Sequence, residues 1–150
     1  MRSSSPDRWQ LGLLMVDEPE LNLHPENQRR IARLFSRLVN IGIKVFITTH
    51  SDYIIKELNT MIMLNQGGER LHTIADREGY CRDEFLSPEK VRVYVASENL
   101  IKLEGAQRKT RCKTLIPADI DSKLGIEVSS FDNTIEEMNR IQGEIVWGGK

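Results

Sequence analysis

Two adjacent carboxylates, Asp17 and Glu18, follow the apolar run Leu13-Leu14-Met15-Val16. A lone imidazole, His50, ends a second run, Lys44-Val45-Phe46-Ile47-Thr48-Thr49. Magnesium-dependent cleavage of a nucleotide γ-phosphate requires such a set: an acid near the metal, an acid near the water and an imidazole near the phosphate. Mg2+ keeps several waters and takes few protein carboxylates, so one Asp at a rigid strand tip suffices to hold it through its hydration shell. The next side chain leaves the strand end in another direction, which brings Glu18 within reach of the attacking water. His50 can donate a hydrogen bond to the γ-phosphate and so report its presence. Taken singly, an Asp-Glu pair after a strand is usually a polar exit, and a strand-end His is usually a surface residue. The joint pattern is specific: four apolar residues, Asp-Glu-Pro-Glu, then Leu23-His24-Pro25, then a strand ending Thr-Thr-His-Ser at one helix's distance.

Those groups need elements to hold them. Leu11 to Val16 and Lys44 to Thr49 read as short strands buried on both faces of a parallel sheet. Between them, Pro25 suits the first position of a helix, and Ile31, Leu34, Phe35, Leu38 and Val39 form its apolar stripe. Gly42 is placed to end that helix in a left-handed conformation. Ser51 or Asp52 can cap a short helix carrying Ile54, Ile55 and Leu58, and Met61 to Leu64 reads as a third strand. Alternating strands and helices predict parallel pairing with right-handed crossovers. Ligands of such sheets sit at the carboxyl ends of the strands, where Asp17, Glu18 and His50 all lie.

Beyond Leu64, Asn65 to Glu69 reads as a hairpin turn into a strand around Arg70 to Ala75. Arg77 to Ser87 reads as polar loop, Val91, Val93 and Val95 as a half-buried strand, and Gly105 to Lys113 as an exposed basic loop. Phe131, Ile135, Met138 and Ile141 fit a helix, with Asn133 and Glu136 spaced as a capping box. The expected organisation is a disordered or truncated start over 1–10, a nucleotide-site half over 11–66 and a C-terminal extension over 67–150.

A chain of 150 residues with 39% hydrophobic and 29% charged residues fits one soluble globular domain. Its net charge of -1 argues against a general nucleic-acid-coating surface. Arg29, Arg30, Arg33 and Arg37 on the long helix, or Arg108, Lys109, Arg111 and Lys113 further on, could track phosphates; a solvated helix face and a mobile loop are the plainer readings. Cys81 and Cys112 match no zinc spacing and read as reduced structural thiols. The spacings of Glu20, His24 and His72 match no usual metal site, and His24 is better used as a helix cap. No long apolar run or signal pattern is present, so the expectation is a cytoplasmic protein without a membrane partner.

Residues 13 to 64 resemble the second half of an ABC-type ATPase head, in the AAA-family group related to the overcoming-lysogenization-defect and RecF-like proteins. The resemblance implies a partial P-loop NTPase parallel sheet of the ABC type with a small mixed α/β extension. In its terms Leu13 to Asp17 is the Walker B strand, Asp17 holds Mg2+ through water, Glu18 is the catalytic glutamate and His50 the switch histidine. Leu21 to His24, with Leu21, Asn22 and His24, is the D-loop that touches a partner across bound nucleotide. ATP and Mg2+ are the implied cofactors. The implied partners are a second copy or an upstream Walker A half, with DNA or a nuclease or toxin effector, in DNA repair or phage defence.

The chain departs from that pattern in two respects with large consequences. No G-x-x-x-x-G-K followed by Ser or Thr occurs, and only twelve positions separate Ser5 from Asp17, too few for the signature segment and its helix. The expectation is a piece of a longer ATPase, a split gene or a degenerate paralogue, inactive as an isolated chain. The alternative is a catalytically inactive half-domain that acts through protein contacts. Glu104-Gly105 followed by Asp119-x-Asp121 faintly resembles the acidic residues of a TOPRIM nuclease, but exposed loop carboxylates are the plainer reading.

Overall fold

The computed structural model describes residues 12–102, 104–105, 107–127 and 140–142. The expectations for residues 1–11, and for the helix carrying Phe131, lie outside the described residues, apart from a helical stretch at 140–142. The chain is mixed α/β and divides into two compact units, Met1–Leu86 and Ser87–Lys150.

In the first unit, β1 (Leu13–Asp17) and β2 (Lys44–Thr48) pair in parallel, with Leu13 opposite Lys44 and Asp17 opposite Thr48. The crossover is α1 (Pro25–Asn40), which packs on β2 and on α2 (Asp52–Leu64). Pro25 opens α1 and His24 caps it, Nδ1 accepting from the Glu26 N–H at 3.4 Å. The helix ends as a Schellman turn: the Ile43 N–H donates to the Leu38 carbonyl at 2.9 Å and the Gly42 N–H to the Val39 carbonyl at 3.0 Å, with Gly42 at φ 96°. A side chain at that φ is strained, so Gly42→Ala should cost about 1 kcal/mol or more, read as a lower denaturant midpoint with unchanged slope.

The core of this unit lies between the helices: Ala32 and Phe35 from α1, and Ile54, Leu58, Met61, Ile62 and Leu64 from α2. Ser36 is also buried and bonds back to the Ala32 carbonyl. Leu34, expected on the buried stripe, is instead half-exposed.

Two expected strands are helical. Met61 to Leu64 continues α2: nothing between Ser51 and Leu64 breaks the helix, and Ile54, Leu58, Met61 and Ile62 recur at helical spacing on the buried side. Arg70 to Ala75 lies in α3 (Glu69–Glu78), so the Gly67-Gly68 segment is a helix–helix turn and not a hairpin. Gly68, at φ 96°, starts α3, and Gly79, at φ 72°, ends it. A 3-10 turn, Arg82–Glu84, then lies inside the stretch expected to be loop.

The expected burial of β1 and β2 on both faces does not hold. Alternation puts Leu13, Met15 and Phe46 on one face, where they are 63%, 65% and 55% exposed, while Leu14, Val16, Val45 and Ile47 are half-buried on the other. Among the described residues only one face of this pair is covered.

The second unit contains an antiparallel hairpin of β3 (Tyr94–Ile101) and β4 (Thr110–Pro117), and a smaller one of β5 (Asp119–Asp121) and β6 (Gly125–Glu127). The alternation expected over Val91 to Val95 persists in burial, but the strand begins only at Tyr94. The basic stretch expected as loop is half strand: Arg111 and Lys113 lie in β4, opposite Leu100 and Glu98. Asp121 is used by the turn after β5, its Oδ1 accepting from the Lys123 and Leu124 N–H groups at 2.6 and 3.0 Å. Those bonds, Lys123 first, hold its carboxyl below the ordinary range. Asp119 and Glu104 are exposed, but Asp119 lies in β5 and not in a loop as the plainer reading of these acids expects. Both cysteines are free. Among the described residues no helix is long and apolar enough to cross a membrane.

Candidate functional site

The register that sets Asp17 opposite Thr48 builds the site at the carboxyl ends of β1 and β2. Thr48 is its hinge pin. Its hydroxyl donates to Asp17 Oδ1 and accepts from the Glu18 N–H at 3.1 Å, while its carbonyl accepts from the same N–H at 3.0 Å. One side chain therefore fixes the first acid and the backbone of the second. Glu18 itself stands at φ 45°, a region that non-glycine residues seldom occupy. The chain turns there, the Leu21 N–H closing on the Glu18 carbonyl at 3.1 Å and the Leu23 N–H on the Glu20 carbonyl at 3.0 Å. Asn22, at φ 61°, is the second residue held in the left-handed region.

His50 lies beyond the end of β2, and its Nε2 is 3.5 Å from Glu18 Oε1. The imidazole is 87% exposed, and the Glu18 side chain is 35% exposed. The three residues singled out by sequence thus share one rim: Asp17 and Glu18 through Thr48, and Glu18 with His50 by direct contact. Leu21, Asn22 and His24 are exposed on the adjoining loop.

Sequence reasoning missed four residues of the site. Thr48 could have been found from the expected pairing of the two strand ends. Glu20 accepts the His50 backbone N–H at 2.5 Å through Oε1. Gln28 donates to the Leu23 carbonyl at 2.9 Å and accepts the Ser51 hydroxyl at 2.5 Å. Ser51, expected with Asp52 as the alternative cap of α2, accepts the Ile54 N–H at 3.1 Å and so is also part of this network. No sequence period announces contacts between a loop and a helix start.

The residues fit a hydrated cation and not a closed cage. Thr48 engages one oxygen, Oδ1, of Asp17, a residue that is exposed. Among the described residues no group of three or more His, Cys, Asp or Glu could hold a metal directly. A single carboxylate acting through water is the mode of binding that Mg2+ tolerates.

The arginines of α1 belong to a different structure. Arg29 Nε and Arg33 Nε donate to the two oxygens of Glu57 at 2.7 and 2.6 Å, and Glu57 is 3% exposed. Arg37 pairs with Glu84 at 2.9 Å and Asp83 at 3.3 Å, and Arg33 also stacks on Tyr80 at 3.9 Å. The hydrogen bond to Glu57, and then that to Tyr80, hold the Arg29 guanidinium above its ordinary pKa. These three cations tie α1 to α2 and to residues 79–84, so they are engaged in ion pairs within the fold, although Arg29 and Arg37 keep 40% and 45% of their side chains exposed. Arg30 alone of the four is largely exposed, beside Glu26.

Residues 2–55 match the AAA ATPase domain family. The matched segment contains both strand ends, the loop between Glu18 and Pro25, and His50. Over 105 residues the chain is 24% identical to UvrABC system protein A of Thermus thermophilus, which covers 69% of this chain and 11% of that protein. The chain spans about a tenth of the length of this curated relative. No solved structure matches.

Proposed function

We infer that this chain carries the hydrolytic half of an ATPase site of the ABC type. Support comes from Asp17, Glu18 and His50 meeting at one sheet rim, and from the similarity of residues 2–55 to the AAA ATPase domain. The observation that carries the reading is Glu18: it sits in a sparsely populated backbone conformation, with its carboxylate 3.5 Å from an exposed imidazole. Strained residues of this kind concentrate at sites where geometry matters more than stability.

In this reading Asp17, steadied by Thr48, would hold hydrated Mg2+. Mg2+, when bound with nucleotide, supplies charge neutralisation at the phosphates. Glu18 orients the lytic water and draws its proton, and His50 donates to the γ-phosphate. The exposed loop carrying Leu21, Asn22 and His24 contacts a second subunit, so hydrolysis is read across a dimer interface. By the family resemblance alone, the proposed partner is DNA or a nuclease or toxin effector, with DNA repair or phage defence as setting and the cytoplasm as location.

A second reading, a half-domain that works through protein contacts alone, is favoured by the open face of Leu13, Met15 and Phe46. Calorimetric titration of the 150-residue chain with MgATP separates part of this. The sequence has no glycine-rich phosphate motif, so binding should be weaker than about 1 mM, equivalent to roughly -4 kcal/mol. Magnesium-dependent binding at submillimolar concentration would contradict the assignment of phosphate grip to another segment. Joining the chain to a segment that supplies the nest should produce hydrolysis under the first reading and none under the second.

A further inference from the structure

The geometry points to Glu20 and Gln28 as positioning residues that tie the loop after β1 to the turn bearing His50. For its functional meaning this rests on His50 being the phosphate sensor. The turn is held by two separate ties. In the first, Glu20 Oε1 accepts the His50 backbone N–H at 2.5 Å. In the second, Gln28 bridges the Leu23 carbonyl, at 2.9 Å, to the Ser51 hydroxyl, at 2.5 Å, next to His50 in sequence. Both ties start in residues 20–28, on or beside the exposed loop, and both end within one residue of His50.

The second oxygen of Glu20 argues for a positional role. Oε2 is buried and has no hydrogen-bond partner. A buried acceptor left unmatched costs about as much as a hydrogen bond returns, so this side chain adds little net stability. What it does fix is where the His50 backbone lies, and with it the 3.5 Å contact of the imidazole with Glu18. Gln28 has the opposite character: its amide uses both ends, donor to the loop and acceptor from Ser51, which also fixes its orientation. Movement of the loop at Leu23 is therefore transmitted to the start of α2, while movement at Glu20 is transmitted to His50. A partner pressing on Leu21 or Asn22 would shift the imidazole relative to Glu18 with no direct contact to either.

Amide exchange and nuclear Overhauser contacts in the nucleotide-free 150-residue chain test this without any hydrolysis, so the outcome is independent of whether the ATPase reading holds. Glu20→Ala should accelerate exchange at the His50 amide at least ten-fold and abolish the contact between the His50 ring and Glu18. Exchange at Val16 and Val45, and the melting temperature, should stay nearly unchanged. Glu20→Gln keeps an acceptor oxygen and should restore slow exchange. Gln28→Leu should weaken the His50–Glu18 contact while leaving the His50 amide protected by Glu20, and it serves independently if Glu20→Ala does not fold. The proposal is overturned if the His50 amide in Glu20→Ala exchanges within two-fold of the parent rate. It is equally overturned if Glu20→Gln fails to rescue, or if Gln28→Leu leaves the ring contact intact.

Discussion

Glu18→Gln, introduced into an ATP-hydrolysing assembly that contains this chain, should lower turnover by roughly 10²–10⁴-fold, the usual worth of a positioned general base. Gln preserves the shape of the side chain and can still align a water, but it cannot take the proton. Nucleotide binding should persist because Asp17 and Thr48 are untouched, so the ATP-bound form, and any dimer it supports, should accumulate. Single-turnover hydrolysis together with sizing in the presence of MgATP reads both effects. Unchanged hydrolysis would remove Glu18 from its proposed role. Its conformation adds an internal control. At φ 45° the backbone accepts Gly readily, so Glu18→Gly should fold at least as well as the parent and be equally inactive, separating loss of chemistry from loss of structure.

The largest expected effect on stability comes from Glu57→Ala. The carboxylate is 3% exposed and satisfies two guanidinium groups, so its removal leaves both cations without their shared anion. Losing one partner of a buried ion pair costs about 3–5 kcal/mol. Arg29 is 40% and Arg33 21% exposed, so both regain some water, and about 2–4 kcal/mol is expected here. For a unit of this size that lowers the melting temperature by more than about 10 °C. Replacing all three groups together, with Arg29→Met, Arg33→Met and Glu57→Leu, should recover most of the loss, because the burial cost of charge then disappears along with the attraction. Raised arginine pKa values make the clamp insensitive to pH in the neutral range. Their contribution is present below the unfolded pKa and is lost only as pH rises through the still higher folded one.

Strand and helix were legible where one local signal dominated. Apolar runs ending near Asp17 and His50, Pro25 at a helix start, Ser51 as a cap and Gly42 after a helix end each have a mechanism confined to a few residues. Met61 to Leu64 misled because four apolar residues fit either a strand or one buried turn of helix, and only continuity with Ile54 and Leu58 decides. Glu69 to Glu78 misled because paired glycines suit a hairpin as well as a helix start. The α1 clamp was recoverable in principle: Arg29, Arg33 and Arg37 recur every four residues, and Glu57 falls on the apolar stripe of α2, where an acid demands a cation. The ties through Glu20 and Gln28 were not recoverable, since they join segments more than twenty residues apart with no periodic signature.

Alternation along β1 and β2 has one more effect. Asp17 and Thr48 share a face with Leu13, Met15 and Phe46, so the acid stands at the shoreline of a greasy, uncovered plain. Whatever polypeptide roofs that plain also sets the dielectric at its edge: each layer of solvent displaced strengthens the field between Asp17 and a cation. Shielding of oily side chains and sharpening of the acid's electrostatics are therefore one event, and an uncapped strand pair is both the stickiest and the electrically weakest form of this site.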